Sequence, residues 1–122
     1  MEDLLIEPTR KTPLVDFSLN GKLVLAGSAQ AENAKEFFDP LVDWITDLRI
    51  EAVDFDVVLE YINTASAKRL LEILRKLDSN MHIKTLNINW FYDKDDEDHL
   101  ETGQILSDTL RKARFKYVVI DK

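Results

Sequence analysis

A change of hydrophobic period within one stretch, Val53 to Leu77, constrains the fold more than any other feature of the sequence. Its first part is apolar, and Asp54 and Asp56 interrupt it at every second position, which predicts a strand with one covered face. From Ala67 onward the spacing becomes helical. The leucines that recur at this spacing are Leu70, Leu71, Leu74 and Leu77.

The junction between this strand and this helix contains no Gly and no Pro. Asn63, Thr64 and Ser66 can each cap a helix by accepting a hydrogen bond from a free amide of its first turn. Open α/β sheets also tend to place their functional sites where a strand ends. On pattern alone, Thr64 or Ser66 acting as a cap is the simpler interpretation. The alternative is a phosphorylated hydroxyl, whose roughly −1.5 to −2 charges the helix amides tolerate.

Hydrophobic patterns along the chain predict nine elements in the order β-β-β-α-β-α-β-α-β. Asn20-Gly21 is a strong hairpin signal, so two early strands should pair antiparallel. Asn33 to Glu36 matches a capping box, and Pro40 predicts either one kinked helix or two helices. This order predicts the α/β class: one domain, 1–122, with a mixed sheet and helices mainly on one face. The elements outside the central unit are strands at 4–6, 14–19, 22–26, 83–91 and 115–120, and helices at 33–48 and from 93–98 to about 112.

The overall charge and composition disfavour several classes of protein. A net charge of −7 repels a phosphate backbone, so we expect a basic or mixed-charge protein partner and no nucleic acid. The absence of Cys excludes disulfides, a thiol nucleophile and Cys-ligated zinc. The chain has no long apolar run and no signal-peptide pattern at its start, so we expect a cytoplasmic protein without membrane insertion.

The acidic run 93–98 is the one cluster in the sequence that resembles a metal-binding site. Asp93, Asp95 and Glu97 occupy the first, third and fifth positions of a calcium loop. However, Asp98 stands where that loop needs Gly, and Gln104 stands where it needs Glu. An acidic helix start is therefore the preferred interpretation, and we expect no metal site. A small ligand- or metal-binding domain that uses this loop remains the alternative.

No sequence motif supports catalysis or a bound cofactor. His82 and His99 show no metal-ligand spacing, and we expect both on the surface. The chain also lacks a glycine-rich phosphate loop and a nucleophile motif. We therefore expect a protein that is not an enzyme and carries no cofactor.

Four blocks of the chain carry a family resemblance: TRKTP at 9–13, GSAQAENAKEFFDPLVDW at 27–44, LEYINTASAKRLLEIL at 59–74 and WFYDKDDEDHLETG at 90–103. In this order they resemble conserved blocks of the SiaC-like regulatory phosphoproteins, a bacterial family similar in design to STAS-domain anti-anti-sigma factors. The third block resembles the family signature LEYFNTSSSK. The chain departs at Ala31, Ile62 and Ala65, where the family often has Pro, Phe and Ser.

The resemblance implies a STAS-like fold and a function in signal transduction. The family's phosphorylated Thr maps onto Thr64, and Ala65 removes a neighbouring hydroxyl that some relatives carry. Unphosphorylated relatives bind an effector, typically a diguanylate cyclase of cyclic-di-GMP signalling. A kinase with the histidine-kinase-like ATPase fold and a PP2C-like phosphatase set the phosphorylation state. An anti-sigma-factor antagonist, which switches partners in the same way, is the alternative.

The partner-binding surface is predicted where strands 53–59 and 83–91 end, because neighbouring parallel strands bring their carboxyl ends to one rim. Thr64 should lie there with an accessible hydroxyl at the start of its helix. A phosphate would add negative charge beside Glu60 and the 93–98 acids and repel the partner. The residues predicted to contact a partner are Glu60, Tyr61, Asn63, Ser66, Lys68, Trp90, Tyr92, Asp95, Asp96 and Glu97.

Overall fold

A six-stranded mixed sheet, in which the strand order follows the chain order, forms the centre of the fold. The computed structural model describes residues 1–121. The first three strands pair antiparallel, and the third to sixth strands pair parallel. The strands are β1 (Leu4–Ile6), β2 (Leu14–Phe17), β3 (Lys22–Ala29), β4 (Ala52–Ile62), β5 (Thr85–Asp93) and β6 (Arg114–Ile120), and the helices are α1 (Ala34–Thr46), α2 (Thr64–Ser79) and α3 (Glu97–Ser107).

The three helices lie on one face of the sheet, as the sequence predicted. Each helix joins two neighbouring parallel strands, and every step moves in the same direction across the sheet. Right-handed crossovers of this kind place every helix on the same side. The buried side chains of the strands and helices meet between these two layers in one apolar core. Among the described residues, no helix has the length and the apolar composition needed to cross a membrane.

The alternation in β4 separates the core from an uncovered face of the sheet. Its odd-numbered residues from Val53 to Leu59 are buried, whereas Asp54 and Asp56 point to the other face. There Lys22 donates to the Oδ2 atoms of Asp54 and Asp56 at 2.8 and 3.0 Å, and Asn89 donates to their Oδ1 atoms at 2.8 Å. The hydrogen bond from Lys22 lowers the pKa of Asp54. Burial opposes the charged form of Lys22, but its two carboxylate partners outweigh that effect and raise its pKa.

Two helix boundaries refine the sequence expectations. The segment around Pro40 is one helix, α1, capped by Asn33, whose side chain accepts from the Glu36 amide at 3.1 Å. The helix α3 ends at Ser107 and not near residue 112. The carboxylate of Asp78 explains why the helix ends there. It accepts hydrogen bonds from the backbone amides of residues 111, 112 and 113 at 2.8–2.9 Å and holds that segment outside the helix.

Candidate functional site

Asn63 caps α2, and Thr64 is the first residue of that helix. The Asn63 side chain accepts a hydrogen bond from the Ser66 amide at 2.8 Å. The backbone amide of Asn63 donates to the Ala29 carbonyl at 2.9 Å, and the side-chain Nδ2 atom of Asn63 donates to the Ala31 carbonyl at 3.4 Å. These bonds fix the start of α2 against the segment that leads into α1. The simpler interpretation of the junction, a cap provided by Thr64 or Ser66, is therefore wrong.

Thr64 is exposed at the position that the sequence predicted. Its helix places Lys68 one turn further along, and Lys68 is exposed as well. Tyr61, two residues before the cap, is 52% exposed, so its aromatic ring is open to the surroundings. Asn63 is half-buried because it is engaged in the cap. The strand-to-helix junction thus presents a hydroxyl, an ammonium group and an aromatic ring to the surroundings.

Two residues of the predicted partner surface are buried, and the prediction that they contact a partner is corrected. Ser66 is 0% exposed, because it lies on the α2 stripe that continues through Leu70 and Leu74 into the core. Trp90 is also 0% exposed, because even-numbered positions of β5 face the helices. Its indole Nε1 donates to the His99 carbonyl at 3.0 Å. Both residues are therefore buried beneath the rim and are not available to a partner.

A cleft of about 790 Å³ opens where β4 and β5 separate. The two strands pair as parallel neighbours as far as Val57 and Trp90. Beyond that point β4 stays paired with β3, and β5 stays paired with β6. The prediction that the carboxyl ends of these strands meet at one rim is therefore confirmed. The cleft is lined by Ala26, Gly27, Val58, Leu59, Glu60, Tyr92, Asp93, Asp95, Asp96, His99 and Ile120.

The polar lining of this cleft is acidic. Within residues 1–121, no Lys or Arg forms an ion pair with the carboxylates of Glu60, Asp93, Asp95 or Asp96. Asp93 accepts from the Asp95 amide at 3.0 Å, and Asp96 caps α3 by accepting from the His99 amide at 3.0 Å. These bonds fix the loop and leave its charge uncompensated. In the same described part of the chain, no group of three or more potential ligands is arranged to hold a metal ion.

His99 lies in the wall of the cleft and is only 7% exposed, so its predicted place on the surface is wrong. Its ring stacks on the Trp90 indole with centroids 4.8 Å apart. Within the described residues its Nε2 atom is buried without a hydrogen-bond partner. Burial lowers the pKa of His99, and the nearby Asp96 carboxylate opposes that shift. The lowered pKa favours the neutral form of the imidazole.

A second, shallower depression of about 390 Å³ contains Thr64 itself. It is lined by Ala34, Lys35, Thr64, Ala65, Lys68 and Arg69. Three of the five residues that line this depression with Thr64 are cationic and none is acidic, so the expected acidic surroundings are corrected. The acids line the separate cleft, because Glu60 belongs to the end of β4, whereas the first turn of α2 lies beside α1. Lys35 and Arg69 were not predicted as site residues.

The fold and these sites can be compared with known proteins. A solved structure of SiaC from Pseudomonas aeruginosa superimposes with a TM-score of 0.80 at 24% identity, over 100% of both chains. The crystal structure of apo-SiaC from the same organism gives a TM-score of 0.79 at 25% identity, over 98% of both chains. A chain in the crystal structure of the diguanylate cyclase SiaD in complex with its activator SiaC gives a TM-score of 0.81 at 24% identity, over 98% of this chain and 100% of that one.

Sequence comparisons place the chain in a family. An uncharacterized protein of Pseudomonas aeruginosa (strain UCBPP-PA14) is 29% identical over 102 residues, which are 80% of this chain and 81% of that protein. The family model for SiaC family regulatory phosphoproteins matches residues 6–120, nearly the whole chain. The protein therefore belongs to the SiaC family of regulatory phosphoproteins.

Proposed function

We propose that the protein is a non-catalytic bacterial signalling switch that is reversibly phosphorylated on Thr64 and binds its effector enzyme when unphosphorylated. The observation that carries this proposal is the exposed Thr64 at the first position of α2, beside a cap that does not need its hydroxyl. Membership in a family of regulatory phosphoproteins supports it. A phosphate at a helix start is compatible with the free amides and the positive end of the helix dipole.

The effector that we propose is a diguanylate cyclase, so that the protein acts in cyclic-di-GMP signalling. The SiaC chain that shares this fold is described as the activator of the diguanylate cyclase SiaD. A cytoplasmic location follows from that role. A kinase with the histidine-kinase-like ATPase fold would phosphorylate Thr64, and a PP2C-like phosphatase would remove the phosphate.

The proposed effector surface joins the acidic cleft to the junction before α2. Glu60 and Asp95 supply charge, and Tyr61 supplies an exposed aromatic ring. Exposed aromatic side chains are typical anchors of protein interfaces, and uncompensated charge guides a partner of opposite sign. The effector should therefore present a basic segment to the cleft. Phosphorylation would change the charge on the other side of the junction by about −1.5 to −2.

Measuring effector affinity tests the switch directly. We expect Thr64→Ala to bind like the wild type, whereas Thr64→Asp and the phosphorylated protein should bind more weakly. Thr109→Asp introduces the same charge at an exposed position after α3 and serves as the matched control. Mass spectrometry after co-expression with the kinase should locate the phosphate on Thr64. Tighter binding of the phosphorylated protein would reverse the proposed direction, and equal binding of all variants would remove Thr64 from the switch.

The acidic cleft can be tested separately from the phosphorylation site. The double variant Glu60→Gln/Asp95→Asn should slow effector association and flatten its dependence on salt, because charges at an interface act mainly on the association rate. Glu51→Gln removes one charge from an exposed position before β4, at the opposite rim of the sheet, and is the control. Association rates that do not change in the double variant would exclude the cleft from the effector surface.

A further inference from the structure

The starts of two helices lie side by side at Thr64. The α1 helix begins at Ala34 and α2 begins at Thr64, and both residues line the same depression. The hydrogen bonds from Asn63 to the carbonyls of Ala29 and Ala31 join the start of α2 to the segment that leads into α1. Each helix start carries the positive end of a helix dipole. A group attached to Thr64 therefore experiences two such ends, one of them from a different segment of the chain.

Three cationic side chains line the depression that contains Thr64. Lys68 and Arg69 come from the second turn of α2, and Lys35 comes from the first turn of α1. Lys35 pairs with Asp39 at 2.6 Å, and Arg69 pairs with Glu72 at 2.9 Å. Lys68 has no ion-pair partner within residues 1–121.

These two ion pairs are easy to exchange. The side chains of Lys35 and Asp39 are 67% and 45% exposed, and those of Arg69 and Glu72 are 32% and 39% exposed. Ion pairs with this exposure are weak, because water screens them and holding both side chains in place has an entropic cost. A phosphate offers more charge and three acceptor oxygens, so it competes well against a single carboxylate.

Building on the proposed phosphorylation of Thr64, we propose that the phosphate is bound inside the chain by Lys35 of α1 together with Lys68 and Arg69 of α2. Lys35 and Arg69 exchange their carboxylate partners for the phosphate oxygens. The modified residue then links the first turns of the two helices. The cations that the unmodified protein presents around Thr64 are neutralised from within, and the partner loses them as contacts.

The decisive role in this arrangement belongs to Lys35. Lys68 lies one turn from Thr64 on the same helix, so its proximity follows from helix geometry alone. Lys35 lies on another helix, and only the packing of α1 beside α2 brings it to the depression that contains Thr64. A change at Lys35 therefore separates the proposed binding from a local effect within α2.

A phosphorus NMR titration tests the proposal without any kinase. Protein with phosphothreonine incorporated during translation at position 64 is titrated, and the pKa of the second phosphate proton is followed. Neighbouring cations favour the dianion and lower this pKa. We expect Lys35→Gln to raise it by about 0.3 or more, the size expected for losing one partly exposed cation. Lys84→Gln, an exposed position at the opposite rim, should leave it unchanged.

The opposite perturbation gives an independent measurement. Asp39→Asn removes the carboxylate that competes with the phosphate for Lys35, so it should lower the phosphate pKa further. Equal pKa values for Lys35→Gln and Lys84→Gln would refute the proposal, and so would a pKa that does not fall in Asp39→Asn. If circular dichroism shows that Lys35→Gln does not fold, the Asp39→Asn titration alone tests the proposal. Different measurements would refute the proposed function: mass spectrometry that locates the phosphate on another residue, or an effector affinity that does not change when Thr64 is altered.

Discussion

The structural role of the junction before α2 can be separated from its proposed regulatory role by two neighbouring alanine substitutions. Asn63 makes the cap, whereas Thr64 has an exposed side chain in the first helical position. Asn63→Ala removes the acceptor that holds the Ser66 amide at 2.8 Å. Thr64→Ala removes no cap, and Ala is the better helix former. The two variants should therefore differ in stability although they are adjacent in sequence.

The structure sets the size of this difference. Losing an N-cap lowers the free energy of unfolding by about 1 kcal/mol, within a range of roughly 0.5–2 kcal/mol. We expect that loss for Asn63→Ala and a melting temperature lower by about 4 °C. The gain in helix propensity should keep Thr64→Ala within about 0.5 kcal/mol of the wild type. Asn63→Asp keeps an acceptor at the cap and should retain most of the stability.

Urea unfolding followed by circular dichroism measures all three variants. Equal m-values would show that the changes act on stability and not on the unfolded state. A loss in Thr64→Ala as large as that in Asn63→Ala would show that Thr64 holds the helix start. The hydroxyl would then have a structural role, and the loss of effector binding in Thr64→Asp could not be assigned to charge alone.

Three further predictions concern the core, the uncovered sheet face and the cleft. In Gly103→Ala the new Cβ would lie 2.7 Å from the buried Trp90 indole, so thermal unfolding should occur at a lower temperature despite the roughly 1 kcal/mol gain in helix propensity. Lys22→Met removes the bond that lowers the pKa of Asp54, so an NMR titration should show that pKa rising towards 3.8. Burial lowers the pKa of His99 in the folded protein below its ordinary value of 6.5. The contribution of His99 to the free energy of unfolding is therefore present above pH 6.5 and is lost as the pH falls below 6.5 through the lowered pKa. Urea unfolding of His99→Gln should therefore depend less on pH below 6.5 than that of the wild type.

Local patterns were sufficient to predict the order of the elements and the position of the rim. The change of period near Thr64 marks the end of β4 and the start of α2, because burial on one face imposes period two on a strand and period 3.6 on a helix. The end of α3 could not be predicted in this way. It depends on Asp78, which binds the amides of residues 111–113 from more than thirty positions away.

The predicted rim is present in the fold, whereas two of the residues predicted to contact a partner there are buried. A sequence signal for their burial existed in both cases: Trp90 alternates with Leu86 and Ile88, and Ser66 precedes Leu70 by one helical turn. A motif resemblance marks residues as important without separating support from contact. The burial of His99 follows from its stacking on Trp90, which only the packing of α3 against β5 reveals.

Lys35 was missed for a different reason. It lies 29 positions before Thr64 on a different helix. Its approach requires that α1 and α2 begin at the same rim, which follows from two consecutive parallel crossovers. No local motif encodes that proximity.

The division of charge at the rim favours an electrostatic switch over a refolding one. The acidic cleft and the cationic depression lie on either side of the junction that Asn63 caps, and the cap bonds do not involve the Thr64 side chain. A phosphate on Thr64 can therefore form without breaking the helix start. It neutralises cations on one side of the surface and leaves the acidic cleft unchanged, so a partner matched to both sides loses complementarity on one of them. If this reasoning is correct, the phosphorylated and unphosphorylated proteins should show the same far-ultraviolet circular dichroism while their effector affinities differ. A change of secondary structure on phosphorylation would require a different mechanism.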